Sequence, residues 1–169
     1  MRKLILFIAT SLDGYIAGPN GEIDWLFTDQ DYGYLEFYAT IDTVVMGRKT
    51  YDVSLSFGEN PYPGTQAFVF SKTRDGERDD HAAFVSGDIP SFVRTLKVQP
   101  GRNIWLAGGG EIIRPLLQDD LIDEFRIFVH PIVLGSGVPL FPAPPTMKKL
   151  NFKECHAFGT GLVRLTYEH

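Results

Sequence analysis

The chain has 169 residues, 44% of them hydrophobic and 13% aromatic, which is enough to build a substantial core within one domain. Its formal net charge of −5, with the 16 Lys and Arg spread along the chain, argues against a general nucleic-acid binder, which needs a basic face. The single cysteine, Cys155, permits neither an internal disulfide nor a cysteine-based metal cluster, and the first apolar run is too short to span a membrane. We therefore expect one globular domain over residues 1–169, located in the reducing cytoplasm.

Six short apolar runs, rich in β-branched and aromatic residues and bounded by turn residues, predict β-strands. They cover residues 4–9, 43–47, 67–71, 103–107, 125–134 and 161–167. Their hydrophobicity is continuous rather than alternating, which indicates burial on both faces of a central sheet. Helical patterns between them predict an α/β fold with crossover connections, and the strands after the last helix predict an antiparallel portion.

Three segments have helical features, over residues 28–41, 88–98 and 111–122. The first has Thr28 as a possible N-cap with Asp31 three residues later, and the second has Asp88 as a possible cap with Pro90 in its first turn. Pro115 predicts that the third helix is short or kinked. Pro and Gly cluster at residues 58–64 and 135–145, which we predict to be loops.

A glycine triplet, Gly108 to Gly110, lies between a predicted strand and a predicted helix. Without side chains the backbone can approach a ligand closely, and free N–H groups at a helix start attract phosphate. The triplet is only a partial dinucleotide-binding fingerprint, because Ile113 stands where the last glycine would be. A pyrophosphate cradle and a tight structural turn are equally good interpretations of the triplet alone.

Two further strand ends carry hydroxyl groups and cations, in "MGRKTY" and "VFSKTR". The carboxyl ends of strands in an α/β sheet line the crevice where ligands bind, so three strand ends offer three anion contacts. Solvated charges would explain either cluster alone, but together they favour a nucleotide. A dinucleotide with a ribose 2′-phosphate needs Arg or Lys nearby, so Arg48, Lys49 and Lys72 point to NADPH.

Five blocks, "FIATSLDGYIA", "VVMGRKTYD", "VFSKT", "WLAGGGEI" and "HPIVLGSGVPLF", occur in an order and spacing that resembles the dihydrofolate-reductase-like superfamily. The branch it resembles is the C-terminal reductase domain of bacterial bifunctional riboflavin biosynthesis enzymes. The resemblance implies a mixed, mainly parallel eight-stranded sheet flanked by helices in three α/β/α layers. It also implies that NADPH lies across the strand ends, with its nicotinamide beside the loop after the first strand.

Carried over residue by residue, the resemblance implies a cofactor site. The adenosine 2′-phosphate side falls on Gly47, Arg48, Lys49, Thr50, Ser71 and Lys72, and the pyrophosphate side on Gly108, Gly109, Gly110, Glu111 and Ile112. Ala9 and Ile16 match the loop that covers the nicotinamide.

The candidate catalytic residues are two acids, Asp31 and Asp13. Asp31 corresponds to the acid that hydrogen-bonds the pterin ring in dihydrofolate reductases, and a carboxylate there could direct protonation of a C=N bond. It is also where a helix-capping acid would lie. Asp13, in "SLDGYIA", is more typical of the riboflavin-type branch; it is either a substrate contact or part of an Asp-Gly turn.

Other residues keep alternative interpretations. The Gly135–Gly137 segment could form a phosphate-binding nest of backbone N–H groups, but a plain connection between strands is the better explanation. His130 is best explained as a hydrogen-bonded core histidine, Trp25 as core packing or a pocket wall, and no metal site is predicted.

The sequence therefore predicts an NADPH-dependent reductase of a C=N bond in a pyrimidine-like or pterin-like small molecule, of the phosphoribosylaminouracil reductase type. A dihydrofolate reductase and a catalytically silent NADPH-binding module are the alternatives. The strand-rich C-terminal third and the apolar, proline-rich residues 138–145 further predict a homodimer.

Overall fold

The computed structural model describes residues 1–143 and 147–169. Within these ranges the strands are β1 Leu4–Thr10, β2 Tyr15–Ala17, β3 Ile41–Gly47, β4 Gln66–Phe70, β5 Ala82–Val85, β6 Asn103–Gly108, β7 Glu124–Val129, β8 Val138–Pro139, β9 Asn151–Ala157 and β10 Val163–Glu168. The helices are α1 Tyr34–Tyr38, α2 Arg48–Ser54, α3 Ile89–Val98 and α4 Gly110–Gln118, and a 3₁₀ turn, Leu55–Phe57, follows α2.

Eight strands form one mixed sheet in the order β5-β4-β3-β6-β1-β7-β10-β9. The pairs from β5 to β7 are parallel, whereas β10 is antiparallel to both β7 and β9. This confirms the predicted mixed, mainly parallel sheet. β2 and β8 form a separate two-stranded sheet from the loops that follow β1 and β7.

The helices cover both faces of the sheet and give the predicted three layers. Alternate residues of β1 separate the two cores: Leu4 and Leu6 face α3 and α4, while Ile5 faces α1 and α2. The described part of the chain contains no helix long and apolar enough to cross a membrane.

Several predicted boundaries are wrong, for identifiable reasons. The strand predicted over 125–134 ends at Val129, because Pro131 has no N–H to donate and Ile132 N–H instead donates to the His130 carbonyl at 2.8 Å in a local turn. Strands β5 and β9 were missed: β5 has only four residues, and all seven residues of β9 are exposed, so β9 lacks an apolar pattern. The predicted 111–122 helix is short, as Pro115 indicates, and ends at Gln118. In the predicted 135–145 loop, residues 144–146 lie outside the described residues.

The predicted helix over 28–41 is reduced to the five residues of α1. Thr28 is exposed and is not its N-cap, which is Gly33; the carboxylate of Asp31, two residues earlier, supports the first turn by accepting hydrogen bonds from the backbone N–H groups of Gly33 and Leu35 at 3.0 Å each. By contrast, Asp88 caps α3 as predicted, accepting from Ser91 N–H at 2.8 Å.

Candidate active site

The three predicted anion-binding segments lie at one edge of the sheet. β4, β3 and β6 are adjacent and parallel, with Gly47 paired to Phe70 and Met46 paired to Gly108. Their carboxyl ends therefore bring the "GRKT", "SKTR" and "GGGEI" segments side by side. β1 follows as the next strand, so the loop after β1 borders the same crevice, where the strand order reverses.

The turn after β6 leaves its backbone open to a ligand. The first turn of α4 has no side-chain cap, and its N-cap is Gly109. A methyl group added at Gly109 would lie 3.5 Å from Thr50 Oγ1 and 3.7 Å from Ile16 Cδ1, which are ordinary contacts. Gly109 therefore lies between residues assigned to the two ends of the cofactor, with space for close approach. A pyrophosphate group fits this arrangement.

The cations follow the ends of β3 and β4, the strands next to β6 in the sheet. Arg48 begins α2 and pairs with Asp52 at 2.8 Å, an exposed i,i+4 ion pair of the kind that contributes about 0.3–0.5 kcal/mol. Such a weak pair leaves the guanidinium available to a stronger anion. Lys49 and Lys72 are exposed, and Ser71 is buried where β4 ends.

Arg74 joins this group, although it was not among the predicted site residues. Its guanidinium lies 3.6 Å from the centre of the Phe84 ring, and that of Arg48 lies 5.7 Å from the same ring. Phe84 belongs to β5, the strand that the sequence pattern missed. The presence of Arg74 in "VFSKTR" was therefore the one available signal for its role.

The loop after β1 is held in place by Asp13. Its carboxylate accepts from Ser11 Oγ at 2.7 Å, from Leu134 N–H at 3.1 Å and from Gly135 N–H at 2.8 Å. These bonds join the loop that carries Ile16 to the segment after β7. The hydrogen bond from Ser11, followed by those from the two backbone N–H groups, lowers the pKa of Asp13 below its ordinary value. Asp13 thus stays ionised at neutral pH and is engaged in structural contacts.

The proposed nest at Gly135–Gly137 is partly occupied by this same carboxylate, because Gly135 N–H donates to Asp13. A methyl group added at Gly137 would lie 2.2 Å from the carbonyl oxygen of Ala17. Gly137 therefore allows the segment to pack closely against the end of β2. The contacts are those of a structural connection.

An aromatic wall lines the sheet between α1 and α2. Tyr34 and Tyr38 of α1 lie 5.9 and 6.4 Å from Trp105 of β6, measured between ring centroids, and Tyr62 lies 5.6 Å from it. Burial raises the pKa of Tyr34 above its ordinary value, so its hydroxyl is neutral. This wall was not predicted, since Trp105 lies in an apolar strand and the tyrosines come together only when α1 crosses the sheet.

His130 is buried and fully hydrogen-bonded, as predicted. Its Nε2 accepts from Phe27 N–H at 3.2 Å, so Nδ1 carries the proton and donates to the Phe128 carbonyl at 3.1 Å. The rings of Trp25 and Phe27 pack edge-on against it. Trp25 therefore packs beside the histidine at the base of the β1–β2 loop.

The buried imidazole predicts a loss of stability in mild acid. Burial lowers the pKa of His130 below 6.5, so the unfolded chain binds a proton first as the pH falls through 6.5. We expect the free energy of unfolding to decrease between pH 7 and 5.5, by at most about 1.4 kcal/mol per pH unit. Urea unfolding at pH 7 and at pH 5.5 measures this difference in the free energy of unfolding. His130→Gln should reduce this dependence, whereas His156→Gln, at an exposed position, should leave it intact; equal slopes in all three proteins would contradict the assignment.

Comparison with known proteins gives matches over nearly the whole chain. A family model described as the RibD C-terminal domain matches residues 2–164. The chain is 43% identical over 170 residues to the uncharacterized protein YwjB of Bacillus subtilis, covering 98% of this chain and 97% of YwjB.

Among solved structures, a Shewanella sp. PV-4 protein assigned provisionally to riboflavin biosynthesis superposes with a TM-score of 0.86 at 34% identity, covering 98% of each chain. Enterococcus faecalis dihydrofolate reductase, solved in complex with NADP(H) and RAB-propyl, superposes with a TM-score of 0.72. At 17% identity, over 98% of this chain and 95% of that one, it shares the fold.

Proposed function

The chain belongs to the RibD C-terminal domain family, and from this premise we propose that it is an NADPH-dependent reductase of a C=N bond in a pyrimidine-like or pterin-like heterocycle. The observation that carries the proposal is the alignment of three adjacent strand ends. Two supply cations and hydroxyl groups, and the third supplies an uncapped glycine turn. A dinucleotide with three phosphate groups needs this combination of contacts.

The residues divide by the part of the cofactor that they would hold. Arg48, Lys72 and Arg74 would bind the 2′-phosphate, which an unphosphorylated dinucleotide lacks. Gly109 and the first turn of α4 would bind the pyrophosphate, and Ala9 and Ile16 would border the nicotinamide. When bound, the cofactor supplies a hydride; the C=N carbon gains that hydride, the nitrogen gains a proton, and NADPH becomes NADP⁺.

The protein would contribute orientation and exclusion of water. The β1–β2 loop is fixed at Leu12, which donates to the Ile132 carbonyl at 2.8 Å, and at Gly14, whose carbonyl accepts from Leu140 N–H at 2.9 Å. Asp13 adds its three hydrogen bonds to the same junction. A loop held in this way covers the nicotinamide in a prepared position, which favours hydride transfer.

Two acids, Asp13 and Asp31, are the candidates for supplying the proton that the substrate nitrogen gains. Asp13 is held ionised and engaged, so we assign it a positioning role. Asp31 accepts from the N–H groups of Gly33 and Leu35 through both carboxylate oxygens and is exposed. We retain Asp31 as the candidate that relays a solvent proton to the substrate. Asp31→Asn keeps one oxygen that can accept from these N–H groups, and at this exposed position the other N–H group can bind water. Its stability should therefore change by only a few tenths of a kcal/mol, while turnover falls more steeply as the pH rises.

The function is tested by following NADPH oxidation with a panel of reducible heterocycles. The panel contains dihydropterin, dihydrofolate, and a ribosylaminopyrimidine with and without its 5′-phosphate. Turnover on any of them supports the reductase. Tight NADPH binding with no turnover on a broad panel would favour the silent cofactor-binding module, and no binding of NADPH would reject both.

Asp13→Asn is predicted to loosen the covering loop. Asparagine presents an NH₂ group where Asp13 now accepts from two N–H donors, so at least one bond is replaced by a donor facing a donor. We expect faster hydrogen exchange at the amides of Leu134 and Gly135, and lower turnover. Asp24→Asn, at an exposed position in the following segment, is the control. If hydrogen exchange at these two amides is the same in Asp13→Asn as in the unmodified protein, Asp13 does not position the loop.

We also propose a homodimer in the cytoplasm. Every residue of the edge strand β9 is exposed, including Phe152 at 65%, and a second copy could cover it. Cys155 on the same strand is an exposed free thiol, which persists in a reducing compartment. Light scattering should give twice the 19.0 kDa chain mass; a particle of 19.0 kDa at micromolar concentration would contradict the dimer.

A further inference from the structure

The cationic residues are distributed unevenly around the cleft. No Lys or Arg occurs between Lys3 and Arg48, between Lys49 and Lys72, or between Arg126 and Lys148. These three stretches contribute β1, the β1–β2 loop, α1, most of α2 with the turn that follows it, and the described segment after β7. They supply the walls of the cleft at the end of β1, where a substrate would meet the nicotinamide.

The first of these stretches is rich in acidic residues. The stretch from Ser11 to Tyr38 carries six of them, namely Asp13, Glu22, Asp24, Asp29, Asp31 and Glu36. The cleft is therefore basic where β3 and β4 end and acidic where β1 ends. Since phosphate and carboxylate groups are bound by Arg, Lys or free backbone N–H groups, the acidic end is unsuited to either.

Arg126 of β7 lies on the α1 face of the sheet and is occupied by contacts within the protein. It pairs with the buried Glu124, and its guanidinium lies 5.5 Å from the centre of the Phe37 ring. Phe37 stacks on Phe7 of β1 with ring centroids 4.1 Å apart and, like Tyr34 on the same helix, lies edge-on to Trp105 of β6. The guanidinium of Arg126 is thus already engaged by a carboxylate and an aromatic ring.

Arg164 is similarly enclosed. It pairs with Glu154 at 2.8 Å, and a methyl group added at Gly33 would lie 3.4 Å from its Nη1. Its Nε has no hydrogen-bond partner but is buried, so solvent and ligands do not reach that atom. Arg164, on β10, therefore pairs with Glu154 and packs against the turn before α1.

The start of α1 is also closed to an anion. Asp31 already accepts from the N–H groups of Gly33 and Leu35. A phosphate at this position would displace a carboxylate and face the remaining acids. The surface that is left for a substrate is the aromatic wall of Tyr34, Tyr38 and Trp105, which suits a flat ring.

We propose that the substrate is a planar heterocycle without a phosphate or carboxylate group. This inference rests on the reductase function proposed above and narrows it. It favours a pterin without a glutamate tail, or a pyrimidine without a ribose phosphate, over their anionic counterparts.

The test compares matched pairs that share one ring and differ in one anionic group. Dihydropterin is paired with dihydrofolate, and the ribosylaminopyrimidine with its 5′-phosphate. On NADPH-loaded protein, binding is measured by quenching of tryptophan fluorescence, which needs no turnover, and kcat/KM is measured where turnover occurs. We expect the member without the anionic group to be favoured at least about tenfold in each pair.

A charge-insertion variant provides the matched control. Leu35 of α1 and Val98 of α3 are each 70% exposed apolar residues, and Val98 lies at the opposite end of the sheet, near Met1. Leu35→Lys should reduce the preference for the member of each pair that lacks the anionic group. Val98→Lys should leave this preference unchanged. Tighter binding of the anionic member by the unmodified protein would overturn this inference alone. Failure to bind NADPH would instead overturn the proposed function, and it is measured separately before any substrate is added.

Discussion

Replacing Arg48 with alanine is expected to weaken NADPH binding by about 10- to 100-fold while changing NADH binding little. The 2′-phosphate is the one group that distinguishes the two cofactors, and a charge-assisted hydrogen bond to it contributes about 1.5–3 kcal/mol. Lys72→Ala should act in the same direction. The fold should persist, because among the described residues Arg48 forms an ion pair with Asp52 alone, and that pair is exposed.

Each variant is titrated with NADPH and with NADH, and binding is monitored by the fluorescence of the nicotinamide. Arg94→Ala is the matched control, since Arg94 is an exposed arginine on α3 that pairs with Asp119 away from the strand ends. Its cofactor preference should equal that of the unmodified protein. Equal losses for NADPH and NADH in the Arg48 variant would refute the 2′-phosphate assignment.

Gly109→Ala is expected to weaken the binding of NADPH and of NADH alike, by about 10- to 100-fold, without destabilising the protein. The pyrophosphate is common to NADPH and NADH, and losing one or two charge-assisted backbone contacts accounts for a change of this size. The added methyl group makes only ordinary contacts with Thr50 and Ile16, and the φ of −90° at Gly109 suits alanine. The variant thus separates a ligand-binding role of the glycine from a folding role.

Gly110→Ala gives the opposite pattern and serves as the comparison. Its methyl group would lie 2.9 Å from the carbonyl oxygen of Pro139 and 2.9 Å from Pro142 Cδ, so the backbone must shift. We expect a lower melting temperature for Gly110→Ala and an unchanged one for Gly109→Ala. Intact binding of both cofactors by the Gly109 variant would show that the turn after β6 is purely structural.

The sequence predicted the elements whose patterns are local. The apolar runs of β1, β3, β4 and β6 are continuous because these strands are buried on both faces, and the Asp88 cap with Pro90 marks the start of α3. The cofactor side of the site followed from those strands, since its residues come directly after them in the chain.

The substrate side depends on tertiary packing and was harder to predict. α1 is only five residues long because its N-cap is Gly33 rather than Thr28, so the tyrosine pair on it could not be oriented from the pattern. β9 has no apolar pattern because its whole length is exposed. The role of Arg74 depends on Phe84, which lies in a strand too short to identify.

The central claim is that the basic end of this cleft recognises the 2′-phosphate of NADPH. The most direct test is the dissociation constants of NADPH and NADH for the unmodified protein at two salt concentrations. We predict that NADPH binds at least about tenfold more tightly, and that the gap narrows at higher salt because exposed charges are screened. Equal affinities, or tighter binding of NADH, would contradict the account.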